Sequence, residues 1–234
     1  MKAPCPGRAG AGLLCLVAAL SSLRIAHAQT GSYPSMAPIA QYRMDRGAEI
    51  DMARSAAPES ISGDARILVL GTHGYEEAAA GRNGFVCLVQ RSWAAGIESP
   101  EFWNPKLRAP ICLNAEAARS FLPHVTKKTE WALAGLSKEQ MIERIDAALR
   151  TKAFPAFEPG AMCYMMSKQG YLSDSGGRWH PHVMFFTAAI EAATWGANLS
   201  GSPMLATIDR TENFTIFILT VDHWSDGTAA NPLE

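Results

Sequence analysis

The strand-like segments of this chain occur in neighbouring pairs, and this order constrains its fold more than any other feature. Short apolar runs at 65–71 and 84–90 are separated by turn-forming residues, as are the runs at 202–208 and 214–221. Parallel sheets need strands that alternate with helices, whereas neighbouring strands joined by turns form antiparallel hairpins. The sequence therefore predicts a single α+β domain, in which an antiparallel sheet of neighbouring hairpins is flanked by a few helices.

Helix and turn signals give this architecture its expected boundaries. Residues 43–56 are good helix formers, and Pro58 favours an end at or before Ala57. Asn114 can cap a helix over 115–122 that the following proline ends. Residues 138–150 show an apolar stripe at helical spacing behind a capping-box sequence. Asn83 and Gly84 form a strong hairpin-turn signal between the first two strands.

Both ends of the chain read as segments outside the folded domain. Residues 1–28 have a basic start, an apolar run and small residues, Ala26 and Ala28, at the −3 and −1 positions of a cleavage site, which together predict a cleaved secretory signal peptide. Residues 29–42 are rich in Ser, Pro and Gly and predict a flexible mature N-terminus. We expect the single domain to span 43–228 and a disordered tail to occupy 229–234. The predicted location is the periplasm or the outside of the cell.

Charge and hydropathy exclude two classes of partner. Removing Lys2, Arg8 and Arg24 with the signal peptide leaves 18 basic residues against 22 acidic ones, a net charge of −4. Such a chain lacks the basic footprint of a nucleic-acid-binding protein. No later segment approaches the roughly 20 apolar residues of a membrane span. The partner is therefore unknown from sequence, with a small molecule or another protein as the open alternatives.

The cysteines of the mature chain predict at most one disulfide. Cys87, Cys112 and Cys163 remain after removal of residues 1–28, and an odd number leaves one thiol over. Cys87 and Cys112 each lie in a short apolar run and are the more plausible pair. Their bond would close a loop of about 26 residues, for which chain entropy gives about 3 kcal/mol. The alternative is that all three are buried thiols.

The segment 161–186 concentrates reactive side chains in a predicted hairpin. Two strand-like runs flank turn-forming Ser, Asp and Gly residues. Because side chains alternate across a strand, His180, His182 and Met184 lie on one face of the second run. Two imidazoles and a thioether suit a copper or zinc ion, although no cofactor is otherwise evident. The alternative is that both histidines are hydrogen-bonded residues at the edge of an ordinary strand.

The register of this hairpin determines which residues of the first run meet the histidines. A one-residue slip exchanges the whole set. If facing residue numbers have an even sum, Met166 and Lys168 share the histidine face. If the sum is odd, Cys163, Met165 and Ser167 share it. In that second case Ser167 or Cys163 beside His182 is a candidate catalytic nucleophile. Asp174 could orient the histidine only if the turn folds back.

Several segments of the chain resemble those of a group of uncharacterised bacterial exported proteins. These are "FVCLVQRSW", "PEFWNPKLRAPIC", "LAGLSKEQMIERI" and "GAMCYMMSKQGYLSD…WHPHVMFF", and the resemblance covers most of residues 45–228. It implies a bacterial periplasmic or secreted setting, in agreement with the signal peptide. It implies no activity, ligand or catalytic residue.

The motifs that would identify an enzyme are missing from the sequence. The chain contains no dinucleotide or phosphate-binding glycine loop, no HExxH, no GxSxG and no CxxC. We therefore predict a ligand-binding or structural role for an exported soluble protein. The alternative is a metal-binding protein or a hydrolase-like enzyme centred on the 161–186 hairpin.

Overall fold

The structure, a computed structural model, describes residues 33–174 and 180–231, and within these ranges the chain forms one sheet and a set of helices. The helices are α1 (Arg46–Arg54), α2 (Glu59–Ser62), α3 (Ala115–Ser120), α4 (Leu122–Leu133) and α5 (Lys138–Arg150). The strands are β1 (Arg66–Leu70), β2 (Tyr75–Ala79), β3 (Val86–Gln90), β4 (Ala109–Leu113), β5 (Met162–Met165), β6 (His182–Ala188), β7 (Met204–Asp209) and β8 (Phe214–Thr220).

All eight strands belong to one sheet, in the order β2-β1-β3-β4-β5-β6-β8-β7. Every neighbouring pair is antiparallel except β1 with β3. The predicted α+β domain with a mainly antiparallel sheet is therefore confirmed. No described helix combines the length and the apolar character that crossing a membrane requires.

The first hairpin differs from its predicted form. β1 pairs antiparallel with β2, through a short turn at 71–74, and runs parallel to β3. Asn83 and Gly84 consequently lie between β2 and β3, which are not paired with each other because β1 lies between them. The Asn83 carboxamide oxygen accepts a hydrogen bond from Phe85 N at 3.1 Å, and Gly84 has a φ of +82°. The predicted turn therefore forms, but it leads the chain into β3, which pairs with β1 in the parallel direction.

The helix boundaries agree with local capping rules in two places and differ in one. α5 begins at a capping box formed by Ser137 and Gln140, as predicted. Asn114 caps α3 by accepting a hydrogen bond from Ala117 N. Pro123, however, lies in the first turn of α4 and does not simply end the preceding helix. The N–H groups of the first helical turn have no partner within the helix, so a proline, which lacks this group, is tolerated at the start of α4.

Helices cover the two sides of the sheet unequally. The first side, called here the covered face, packs Leu88, Cys163 and Phe186 against α3 and α4. The opposite side is covered by α1 only over β1, β3 and β4. Strands β3 and β4 are consequently buried along their whole length, whereas β5, β6, β7 and β8 contain many half-buried positions.

The segments outside the predicted domain make specific contacts where the structure describes them. Tyr42 is completely buried, and its hydroxyl donates to the Trp103 carbonyl at 2.7 Å. Residues 33–42 therefore pack on the core, where the sequence predicted a flexible terminus. At the other end, Ala230 N donates to Asp222 O at 2.7 Å, within the predicted tail. The predicted signal peptide and residues 29–32 and 232–234 lie outside the described residues.

The predicted disulfide is present. Cys87 of β3 and Cys112 of β4 face each other in the antiparallel register, with their Cα atoms 4.0 Å apart. Cys163 is free and buried, as the odd count required. The bond therefore joins two central strands on the side that α1 covers.

A thiol titration and a stability measurement test this bond together. In unreduced, denatured protein lacking residues 1–28, we expect one reactive thiol, that of Cys163. Replacing both Cys87 and Cys112 with Ala is expected to lower the unfolding free energy by about 3 kcal/mol, because the 25-residue separation no longer restricts the unfolded chain. Cys163→Ala is the control, which should leave no reactive thiol and retain the disulfide. Three thiols in the wild-type chain would contradict the pairing.

Candidate functional site

The 161–186 hairpin adopts the odd register. Cys163 of β5 faces Met184 of β6, and Met165 faces His182. Of the two alternatives, the one that places Cys163 and Met165 on the side of His182 is therefore correct. That side is the covered face of the sheet, so these residues point toward α3 and α4. Residues 175–179, in the turn, lie outside the described part of the chain.

Neither candidate nucleophile has the surroundings of one. Ser167 lies beyond the end of β5, is fully buried, and its hydroxyl is 2.6 Å from Ser55 Oγ. It also accepts a hydrogen bond from Gln169 N at 3.1 Å. Burial raises the pKa of the Cys163 thiol far above its usual value, which removes the thiolate that nucleophilic attack needs. Both side chains act as packed parts of the core.

Asp174 does not orient a histidine. Its carboxylate accepts hydrogen bonds from the hydroxyls of Tyr171 and Tyr33 and from Lys106 Nζ, the last at 3.1 Å. These bonds lower the pKa of Asp174 to about 2. The turn is thereby attached to the N-terminal segment and to the loop before β4, which gives Asp174 a positioning role within the fold.

The histidines of the proposed metal site hydrogen-bond within their own strand segment. His182 Nδ1 lies 2.7 Å from the carbonyl oxygen of His180, which can only accept, so Nδ1 carries the hydrogen. Burial lowers the pKa of His182, despite this bond, and so favours the neutral ring. Met184 packs against the core of the covered face. Among the described residues, no three His, Cys, Asp or Glu side chains are placed to hold a metal ion. The copper or zinc hypothesis therefore depends on residue spacing alone.

A buried charged cluster that the sequence did not reveal links α4 to the turn between β7 and β8. His124, Lys128 and Glu212 are each at most 3% exposed. One carboxylate oxygen of Glu212 lies 3.0 Å from His124 Nδ1, and the other accepts a hydrogen bond from Lys128 Nζ. Lys128 Nζ also donates to Ala94 O at 3.1 Å and Ala95 O at 3.4 Å. The three hydrogens of the ammonium group are thus all used.

The surroundings of this cluster favour a structural role. The His124 ring stacks on Phe154 at a centroid distance of 4.0 Å and lies 5.2 Å from Phe157. Its Nε2 atom is buried and has no hydrogen-bond partner within the described chain. Burial alone would raise the pKa of Glu212, but the charge of Lys128 and the bonds from both partners outweigh it and lower this pKa. The result is a closed, mutually neutralised cluster that holds the β7–β8 turn against α4.

Polar clefts on the surface offer little organised chemistry. The cleft of about 650 Å³ beside the β1–β2 turn includes His73, Glu76 and Glu130. Both carboxylates already form ion pairs, Glu76 with Arg46 at 2.9 Å and Glu130 with Lys127 at 2.7 Å. A second cleft, of about 300 Å³, contains Asp209, whose pKa burial raises. Neither arrangement provides a nucleophile and a base within reach of each other.

The clearest unexplained surface is the part of the sheet that α1 leaves uncovered. We call it the open face, and it consists of half-buried apolar side chains on the side opposite the covered face. Its members are Met162, Tyr164, Val183, Phe185, Met204 and Leu219, and Tyr164 also packs against the core on the side that α1 covers. The strand registers connect them directly, since Met162 faces Phe185 and Val183 faces Leu219. The open face therefore crosses β5, β6, β8 and β7 as one apolar surface.

An exposed tryptophan borders the open face. Trp195 is 45% exposed and stacks on Phe217 of β8 with ring centroids 4.3 Å apart. Its ring is also 6.4 Å from that of Phe185 in an edge-to-face arrangement. Of the residues in β5 to β8, only Asp209 carries a formal charge, and it lies on the other side of the sheet. The open face is therefore uncharged, aromatic and accessible at one end.

Comparison with known proteins adds no relative: the chain matches no protein-family model, and neither curated sequences nor solved structures give a match. A functional argument therefore depends on the geometry of the chain itself. Sequence alternation could have identified the members of the open face once the strands were known. It could not show that α1 packs on β1, β3 and β4.

Proposed function

We propose that this chain is an exported, non-catalytic protein that binds extended apolar segments of other polypeptides in the bacterial periplasm or outside the cell. The observation that carries the proposal is the open face, a continuous row of partly exposed apolar side chains across four strands. Contiguous apolar surface of this kind marks interaction sites on proteins that are otherwise water-soluble.

The shape of the open face favours a polypeptide over a small molecule. Small-molecule sites are concave cavities with a few convergent polar groups. The open face is a sheet surface, and none of its residues lines the clefts found beside α5, the β1–β2 turn or β7. A strand-sized surface of this kind matches an extended chain segment whose apolar side chains point toward it.

The composition of the open face supports the same ligand class. The cores of protein interfaces are enriched in aromatic residues and Met and depleted of charged ones. Met162 and Met204 are flexible and polarisable, so they can adapt to different apolar side chains. Phe185, Tyr164 and Trp195 provide larger and more rigid contacts. This mixture suits a surface that accepts several related sequences.

Export forms part of the proposal and has two supports. The basic start, apolar run and small residues of 1–28 have the form of a secretory signal peptide. The Cys87–Cys112 disulfide suits an oxidising compartment. The resemblance to bacterial exported proteins agrees with both.

Binding of a model peptide tests the role of the open face. The probe is a fluorescently labelled synthetic peptide in which Leu alternates with Ser, titrated by anisotropy. Phe185→Ala and Leu219→Ala should each raise its dissociation constant by about tenfold or more, because each removes a central apolar contact. Circular dichroism of each variant checks that the sheet is retained.

Two controls separate this site from general stickiness. Ile142 is an exposed apolar residue of α5, 37% exposed and away from the sheet, so Ile142→Ala should bind the peptide as the wild-type chain does. A peptide in which Gln replaces each Leu should not bind. Equal binding by the wild type and both open-face variants would refute the proposal.

A further inference from the structure

The outer edge of β7 is occupied at its centre by the side-chain amide of Asn198, while the Ser202 hydroxyl accepts from Met204 N at 3.1 Å and donates to Met204 O at 3.3 Å at the start of the strand. β7 is the last strand of the sheet, and its described strand partner is β8. Asn198 Nδ2 donates to Ala206 O at 2.9 Å, and Asn198 Oδ1 accepts from Ala206 N at 2.9 Å. The backbone N–H of Asn198 also donates to Met204 O at 3.0 Å. The amide thus makes with Ala206 the reciprocal pair of bonds that a residue of a neighbouring strand would make.

The backbone around Asn198 is arranged to deliver this amide. Asn198 has a φ of +60°, in the left-handed region that Asn tolerates better than most residues. Gly196 and Gly201, on either side, have φ values of +71° and +78°. This tight turn lies just before β7 and brings the side chain back onto the strand that follows.

The two edges of the sheet are protected differently. β2, at one edge, carries the exposed charged residues Glu76 and Glu77, and charge on an edge strand discourages pairing with another chain. β7, at the other edge, has no charged residue from 204 to 208, and Leu205 is 52% exposed. An apolar edge without charge is a template for strand addition unless something covers it. The Asn198 amide covers this edge at Ala206, the middle of the uncharged stretch.

We propose that Asn198 blocks self-association: its amide occupies the edge of β7, and a chain that lacks it pairs β7 with the β7 strand of a second copy. A second copy is the fitting partner because an antiparallel edge is its own complement around a two-fold axis. Residues 204–208 would meet in that arrangement without like charges facing each other. The inference does not depend on the proposed function, since it concerns the strand edge and not the open face.

Substitution by glycine provides a matched test, made on the otherwise unchanged chain as it is purified after export. Asn198→Gly removes the amide, and glycine accepts the positive φ at this position. Sedimentation equilibrium over a range of concentrations should show a dimer. Its dissociation constant should be at least about tenfold lower than the dissociation constant of any wild-type dimer. The control is Asn213→Gly, because Asn213 has a similar φ of +59° in the β7–β8 turn. This control should associate as the wild type does.

A second substitution identifies the surface that forms the dimer. Backbone groups alternate along a strand, so Ile208 N points outward, as Ala206 N does. Ile208→Pro removes that outward donor, and proline is tolerated on an edge strand. Added to Asn198→Gly, it should restore wild-type association, whereas Phe185→Ala should leave the dimer intact.

Each variant has one result that would overturn the proposed role of Asn198. An Asn198→Gly chain that associates no more than the wild type shows that the amide blocks nothing. A dimer that persists in Asn198→Gly/Ile208→Pro shows that another surface forms it. If Asn198→Gly fails to fold, Asn198→Ala removes the same amide and is judged by the same two outcomes.

Discussion

Replacing Lys128 with Met is expected to lower the unfolding free energy by about 3–5 kcal/mol, the usual cost of removing one member of a buried ion pair. The substitution leaves the Glu212 carboxylate, 2% exposed, without its cation. It also removes the hydrogen-bond donor of the Ala94 and Ala95 carbonyl groups. Chemical denaturation followed by circular dichroism measures the loss.

The neighbouring residue provides the control for this measurement. Lys127 is on the same helix and pairs with Glu130, but both side chains are about half exposed, at 51% and 44%. Exposed pairs contribute about 0–1 kcal/mol, so Lys127→Met should change the unfolding free energy by no more than that. Similar losses from Lys127→Met and Lys128→Met would show that the Lys128–Glu212 pair has no special importance.

The same pair predicts how this difference depends on pH. The pKa of Glu212 is lower in the folded chain than its ordinary value. A carboxyl of this kind stabilises the fold above its unfolded pKa of about 4.3 and loses that contribution as the pH falls further. The advantage of the wild type over Lys128→Met should therefore narrow as the pH is lowered from 7 toward about 3. An advantage that stays constant over this range would contradict the assignment.

Replacing Glu49 with Gln is expected to lower the unfolding free energy by a similar amount, about 3–5 kcal/mol, because it leaves the buried Arg91 guanidinium without a carboxylate. Glu49 lies 2.9 Å from Arg91, and the two side chains are 2% and 0% exposed. Arg91 also donates to Tyr42 O at 2.7 Å, while Glu49 accepts from Leu70 N at 3.0 Å. The pair thus joins α1, β1 and the N-terminal segment, and thermal or chemical unfolding measures its loss.

An exposed ion pair again supplies the comparison. Glu76 lies 2.9 Å from Arg46, with both side chains more than half exposed, at 58% and 54%. Glu76→Gln should therefore change the unfolding free energy by less than about 1 kcal/mol. If Glu49→Gln is equally mild, then Arg91 is stabilised by its backbone partners alone and the role assigned to Glu49 is wrong.

Local patterns predicted those parts of the fold that depend on nearby residues. α5 has its predicted span, Lys138–Arg150, because its capping box and apolar stripe lie within one helix length. The apolar runs around Cys87 and Cys112 became central strands, and the preference for pairing these two cysteines, based on those runs, is confirmed. Each of these inferences needed only residue type, spacing and the chemistry of the expected compartment.

The buried ion pairs could not be recognised in the same way. Lys128 and Glu212 are 84 residues apart, and Glu49 and Arg91 are 42 residues apart in the sequence. A charged residue in a predicted helix or loop is normally solvated, so nothing in the sequence distinguishes Lys128 from Lys127. Only the position of the β7–β8 turn beneath α4 makes the difference between a buried pair and an exposed one.

The 161–186 hairpin shows where sequence-based inference ends. Strand alternation placed His180, His182 and Met184 on one side, and two registers remained possible because a one-residue slip costs nothing in the local pattern. The structure selects the odd register, which turns Cys163 and Met165 toward the helices and leaves Met162 and Tyr164 on the other side. Cys163 and Met165 are thereby buried, while Met162 and Tyr164 remain partly exposed.

Residue type and spacing were therefore sufficient for the fold class, the long helix and most strands, since these depend on periodicity, whereas the disulfide was one of two alternatives that the structure decided. Strand register, the parallel β1–β3 pair, the buried charges and the open face depend on which helix packs over which strand. Those contacts join residues far apart in the chain, and local sequence does not specify them. The proposed function rests on this second group, because the exposure of an apolar strand face depends on which distant elements pack over it.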